Sequence, residues 1–225
     1  MKGLVQPIVI LLTSLFLSGE RRQTILRKMF GHEVHPSARI GINFISVEHL
    51  YMAEGSGIAS LTLIRGLRKC ILHEEVDIGR FNWITAIPLG GGDFFQKVED
   101  RDPSLEIGFG SVILHRHIVD CNAKVTIGEL SGLAGYRTTL LTHGVDIITN
   151  SQTAVPVTIG DRTMIGSNCV LLGGTVVPGY SIVSAGSTVR NAFTEPGLYS
   201  GVPAKRVGDL PQDAAFFHRT TKMIY

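Results

Sequence analysis

Aliphatic residues return every six positions through the last third of the chain. From Ile159 the sequence divides into IGDRTM, IGSNCV, LLGGTV, VPGYSI, VSAGST and VRNAFT. Each hexad opens on a branched aliphatic residue: Ile159, Ile165, Leu171, Val177, Val183 and Val189. Its fifth position is small at Thr163, Cys169, Thr175, Ser181 and Ser187, with Phe193 the exception. A helix needs apolar returns near about 3.6 residues and a plain strand alternates at two. Six is a multiple of two, so the pattern predicts short strands, bent once per hexad where Gly and Pro recur. Such strands stack into a solenoid: aliphatic residues face inward, and each backbone pairs with the coils above and below at about 4.8 Å.

The same rhythm runs earlier through Ile107, Ile113 and Val119, slips by two residues to Ile127, and continues to Leu133. Weaker copies fall at Ile58, Ile64, Ile78 and Ile84. Two stretches break it. Residues 88–104, PLGGGDFFQKVEDRDPS, read as a protruding loop; residues 144–156, GVDIITNSQTAVP, read as a second insertion with His143 at its base. In repeat arrays, insertions gather on one face, which is often the binding face. The predicted organisation is an N-terminal helical segment at 1–33, a β-solenoid at 34–208 and a C-terminal extension at 209–225.

The first segment holds residues 4–17 without a charge. A helix of that length spans about 21 Å, short of the roughly 30 Å hydrocarbon core of a bilayer. A secretory signal fits by length, but no small-x-small cleavage site follows. Residues 18–30 place Arg21, Arg22, Arg27 and Lys28 among Ile25, Leu26, Met29 and Phe30, the pattern of a basic interfacial helix. Residues 1–30 are therefore expected either to touch a membrane surface or to cover the open end of the solenoid.

Composition narrows the function. The chain has 225 residues, 44% hydrophobic, with 26 glycines and only 7% aromatic residues. That fits a thin, turn-rich core. Charge is balanced at 21 basic against 19 acidic residues, with none of the basic stripes of a nucleic-acid binder. The three cysteines, Cys70, Cys121 and Cys169, form no C-x-x-C pair, so neither a disulfide framework nor a zinc knuckle is expected. The GGG at 90–92 precedes no evident helix and is not read as a phosphate loop.

The hexads over 105–208, more loosely 34–87, and the closing GLYSGVPAKRVGDL resemble the hexapeptide-repeat acyltransferases, in their sugar O-acetyltransferase branch. The resemblance implies a left-handed parallel β-helix of triangular section, a homotrimer with sites between subunits, and acetyl-CoA as donor with no metal required. THG, an extended loop and a restart at VTIG match the family's arrangement, which implies His143 as general base. An imidazole near its ordinary pKa of about 6.5 has a large neutral fraction at neutral pH and suits that role. The family's donor groove implies Ala185 and Gly186 of SAGS beside the pantetheine arm, and Lys205 and Arg206 of GVPAKR on the phosphates. His115 and His117 in ILHRHIVD are expected to line the same cleft and contact the acceptor. Asp146 and Asn150 are expected to orient His143 or bind sugar hydroxyls. His32, His35, His49, His73 and His218 are read as structural or surface residues.

The leading expectation is acetyl transfer to a saccharide hydroxyl in the cytoplasm, near a membrane where surface glycans are assembled. N-acyl transfer to an amino sugar or small amine would use the same base. A metal-dependent hydratase shares this solenoid, but His115-x-His117 misfits its ligand spacing. A non-catalytic scaffold would be expected to lack the histidine and the loop, and both are present.

Overall fold

The computed structural model describes residues 2–17, 19–90 and 92–224; Met1, Ser18, the middle glycine of the GGG, Gly91, and Tyr225 lie outside the described residues. Among those residues three sheets of short, mostly parallel strands wrap one core, and up to Val189 each successive strand of the solenoid, the 143–154 hairpin apart, belongs to the next sheet. Ladder pairing puts like residues in register. In the first sheet Val34, Met52, Leu72, Ile107, Ile127, Ile159 and Val177 form one column. Ile40, Ile58, Ile78, Ile113, Leu133, Ile165, Val183 and Tyr199 form the second. Ile45, Ile64, Ile84, Val119, Leu140, Leu171 and Val189 form the third. All are buried. This is the solenoid that the hexads predict, with the left-handed parallel β-helix fold that the resemblance implies.

The early part of the solenoid is as regular as the late part, where a loose copy was expected from the sequence. The columns begin at Val34, but the rungs Ile45, Met52 and Leu72 fall off the six-residue count and so escape a hexad search.

The fifth positions do more than fit the corners. The polar ones offer an atom to the backbone of the next coil, where the bent chain has no ladder partner. At the corner between the first and second sheets, Ser131 N–H donates to Ser111 Oγ (2.8 Å) and Thr163 N–H to Ser131 Oγ (2.9 Å). At the corner between the second and third sheets, Asn43, Thr62, Asn82, His117 and Thr138 form a similar chain of acceptors.

Two helices cover the first coil. In α1 (Lys2–Phe16) the Gln6 amide donates to Val47 O (2.7 Å) and accepts from Val47 N–H (3.0 Å), continuing the ladder as a strand would. Ile10 of α1 and Leu26 and Phe30 of α2 (Gly19–Phe30) join the core. Arg22 is buried and donates to Ala38 O, and burial lowers its pKa. The opposite face of α1 leaves Val5, Ile8, Leu12, Leu15 and Phe16 exposed. At the other end the chain turns back through α3 (Ala215–His218) along the corner between the first and second sheets. Arg162 Nη1 holds Phe217 O and Arg219 O at 2.8 Å, and Lys222 Nζ reaches Asp77 Oδ2 at 2.6 Å.

Candidate active site

Every large break in the rhythm falls at one edge, where the chain leaves the third sheet for the first. There the 88–103 loop, the two-residue slip after Val119, and the hairpin of His143–Asp146 with Ser151–Ala154 leave the solenoid one above another. The loop and hairpin hold each other: Phe95 N–H donates to Gln152 Oε1 (3.0 Å) and Lys97 Nζ to Thr149 O (2.9 Å).

His143 stands at the base of this edge. Its Nδ1 lies 2.6 Å from Asp120 Oδ2. The same oxygen accepts the N–H of Thr142 (2.9 Å) and of His143 (3.0 Å). The other carboxylate oxygen accepts the N–H and side-chain amide of Asn122. Asp120 is 8% exposed at its side chain and His143 43%. A buried carboxylate holding several N–H donors is fixed in place. It fixes the proton of the neutral imidazole on Nδ1. Nε2 is left as the acceptor on the more exposed ring.

A second layer holds the pair. Asn122 Oδ1 accepts Ile87 N–H (2.9 Å) and lies 3.4 Å from Arg101 Nη1. The buried Arg101 guanidinium also donates to Ile87 O (2.7 Å) and Pro88 O (3.0 Å) and lies 4.5 Å above the Phe95 ring. Phe95 meets His143 edge-on, with ring centroids 6.5 Å apart. Burial lowers the Arg101 pKa, and the field of Asp120 opposes that shift.

Asp120, Asn122, Phe95 and Arg101 were not singled out from the sequence. The one signal was the two-residue slip, which makes room for Asp120 and Asn122 at the edge that carries His143. Asp146 does not orient His143. It sits at the hairpin turn, where its carboxylate accepts Ile148 N–H (2.8 Å) and lies 3.3 Å from Thr149 N; these contacts and the Thr149 side chain lower its pKa. Asn150 is exposed in the same turn, in a left-handed conformation (φ 46°).

Within one chain His115 and His117 do not line the His143 cleft. They occupy the corner between the second and third sheets, a different edge. His117 is fully buried, its Nδ1 accepts Thr138 N–H (3.1 Å), and burial pushes its pKa down to about 4. It is a neutral rung of the corner ladder and out of reach of an acceptor. His115 is partly exposed and accepts Arg80 N–H at Nδ1 (2.9 Å).

Ala185 and Gly186 are exposed in the last turn of that second edge, with Gly186 at φ 75°. Lys205 and Arg206 lie on Ala204–Gly208, paired antiparallel with Leu198–Gly201. Arg206 is already engaged: it donates to Pro196 O (3.1 Å) and Asp209, and the Asp209 carboxylate holds its pKa up. Lys205 is exposed and, among the described residues, in no ion pair. All three cysteines are buried, and burial pushes Cys70 up to about 12, so none is a ready nucleophile. Among the described residues no three of His, Cys, Asp and Glu come together as a metal-ligand group.

Hexads and three parallel sheets, with insertions at one edge, give the chain a left-handed β-helix fold built on hexapeptide repeats. No protein-family model matches it. The polysialic acid O-acetyltransferase OatWY matches with a TM-score of 0.60 at 15% identity, over 82% of this chain and 90% of that one. The hexapeptide-repeat-containing acetyltransferase VCA0836 of Vibrio cholerae matches with a TM-score of 0.51 at 18% identity, over 91% and 88%. These likenesses show the fold. The Bacillus subtilis (strain 168) protein named "Putative acetyltransferase YvoF" is 30% identical over 82 residues, 36% of this chain. The chain spans about half the length of that curated relative (46%).

Proposed function

We propose that the protein is an acetyl-CoA-dependent O-acetyltransferase acting on a saccharide hydroxyl. The observation that carries this reading is the His143–Asp120 pair, with its tautomer fixed, at the edge where both insertions converge. His143 Nε2 takes the proton of the acceptor hydroxyl as its oxygen attacks the thioester carbonyl. The tetrahedral intermediate then expels the CoA sulfur, which receives that proton from the imidazolium. The products are the acetyl ester and CoA. Backbone N–H groups are the expected donors to the oxyanion. OatWY and VCA0836, both named acetyltransferases, support the class through their shared fold.

Ala185 and Gly186 stand on a different edge from His143, so a site using both needs a second copy of the chain. We read the working form as a homotrimer, with the pantetheine arm passing Ala185 and Gly186 and Lys205 meeting the donor phosphates. Arg206 steadies that strand. The donor places the reaction in the cytoplasm. The test is CoA release from acetyl-CoA across neutral sugars, amino sugars and sugar nucleotides. Release that depends on a hydroxyl acceptor is expected. Release with amines alone would make the enzyme an N-acyltransferase, and no acetyl-CoA binding at all would leave a scaffold.

No described helix is long and apolar enough to cross a membrane. The exposed apolar face of α1, beside exposed Arg21, Arg27 and Lys28 of α2, instead has the make-up of an interfacial anchor. We read it as holding the enzyme on an anionic bilayer, beside a lipid-linked acceptor. The native protein is expected to float with anionic liposomes, and Leu12→Glu with Phe16→Glu to stay behind. Equal partition of the two proteins would sink this reading.

A further inference from the structure

The edge between the second and third sheets carries chemistry that acetyl transfer at His143 does not use. Its turns in three successive coils read Arg80-Phe81, His115-Arg116 and Tyr136-Arg137. Arg80, Phe81, His115, Arg116 and Tyr136 line a groove of about 550 Å³ that no acidic residue lines. Among the described residues, no ion pair takes up the Arg80 or Arg116 guanidinium. His115 adds a donor: because its Nδ1 accepts Arg80 N–H, the proton of the neutral ring sits on Nε2.

The aromatic residues stay open beside these cations. Tyr136 is 53% exposed and Phe81 46%. Arg116 lies 5.7 Å from the Phe81 centroid, and the Tyr136 ring lies 6.1 Å from that of His115. Cations without acids and half-exposed aromatic rings are the two halves of one recognition problem. Guanidinium groups pair with phosphate oxygens. An exposed ring offers a nucleobase a stacking surface whatever its sequence identity. The groove adjoins a larger one, about 690 Å³, that shares Arg80 and His115. Gly79 lets neighbouring coils pack closely at that junction: a Cβ there would fall 2.2 Å from Leu114 O.

We propose that this edge binds a nucleoside diphosphate group, with Arg80, Arg116 and His115 on the phosphates and Tyr136 or Phe81 against the base. Two molecules could bring that group to an acetyltransferase. One is a nucleotide-linked sugar acceptor. The other is CoA bound the opposite way round from the placement above, with its adenosine diphosphate end here, two coils before Ala185 and Gly186, instead of at Lys205. The proposal is about binding and stands apart from His143, so it is tested without turnover.

The experiment is calorimetric titration of the full-length protein with UDP, CoA and inorganic pyrophosphate. It compares the native chain with Arg80→Ala/Arg116→Ala and with Tyr136→Ala. All three positions are surface turns, and unchanged melting curves confirm folded variants. Charge-assisted contacts are worth roughly 10- to 100-fold in affinity, so the double arginine variant is expected to lose at least about tenfold. Tyr136→Ala is expected to weaken the nucleotide and leave pyrophosphate unchanged. A loss confined to UDP assigns the group to the acceptor, and a loss confined to CoA assigns it to the donor. Either supports the site. The proposal is overturned if neither nucleotide binds, if binding survives the arginine changes, or if pyrophosphate binds as tightly as the nucleotides.

Discussion

His143→Ala is expected to slow acceptor-dependent CoA release by about 10²- to 10⁴-fold, the usual worth of a general base. The KM for acetyl-CoA should hold, because the donor contacts proposed above lie on another edge. Asp120→Asn tests the mechanism more closely. The carboxylate now offers only acceptors to His143 Nδ1, Thr142 N–H and His143 N–H. An amide has one oxygen for these donors and brings an NH₂ of its own. Turned toward Nδ1, that NH₂ forces the imidazole proton onto Nε2, where the acceptor proton must go. The rate should therefore fall by about 10² or more with the histidine still present. Asp146→Asn should change it by no more than about threefold, since general-base help in the range above does not pass through a hairpin-turn carboxylate. Steady-state kinetics of the three variants decide the matter. Full activity in His143→Ala would remove the base, and equal losses in Asp120→Asn and Asp146→Asn would remove the distinction between the two acids.

The contrast between those two acids shows what the sequence could carry. A period of six marks columns, because each rung must be aliphatic and each corner small. It was legible wherever the count held, from Ile159 to Val189 without a slip. The count also marked the edge that matters, because insertions and slips collect where the chain has freedom to leave the coil. It could not say which side chains meet across coils. Asp120 reaches His143 over 23 positions, from the coil below, through a corner that holds two extra residues. Asp146, only three residues from His143, was the nearer acid in sequence, but the hairpin carries it away. For a related reason the sequence could not separate His115 from His117: two residues separate a surface position from a ladder rung at a corner, and polarity alone does not reveal that His117 serves as the rung. The N-terminal segment stayed open from sequence because one face of α1 is spent on the core and the other is equally apolar.

Leu140→Ala is expected to destabilise the fold by about 2–5 kcal/mol, the range for removing most of a buried leucine. Leu140 is fully buried and stacks between Val119 and Leu171 in the third column. Its neighbours are held by ladder bonds on both sides, so the wall has little room to collapse into the space. Such a loss is a large part of the roughly 5–15 kcal/mol typical of a whole domain. In a solenoid each coil is stabilised by the coils on either side, so a defect at one rung weakens coupling between the halves above and below it. Urea unfolding followed by circular dichroism should therefore show a lower midpoint, and a shallower transition if the halves begin to unfold separately. Leu140 precedes His143 by three residues but is buried in the core, where His143 is exposed. Activity per folded molecule should thus persist at low temperature and fall with the folded fraction on warming. An unchanged midpoint would mean the column is not packed there. An activity lost while the protein is still fully folded would mean that the rung positions His143 as well as supporting it.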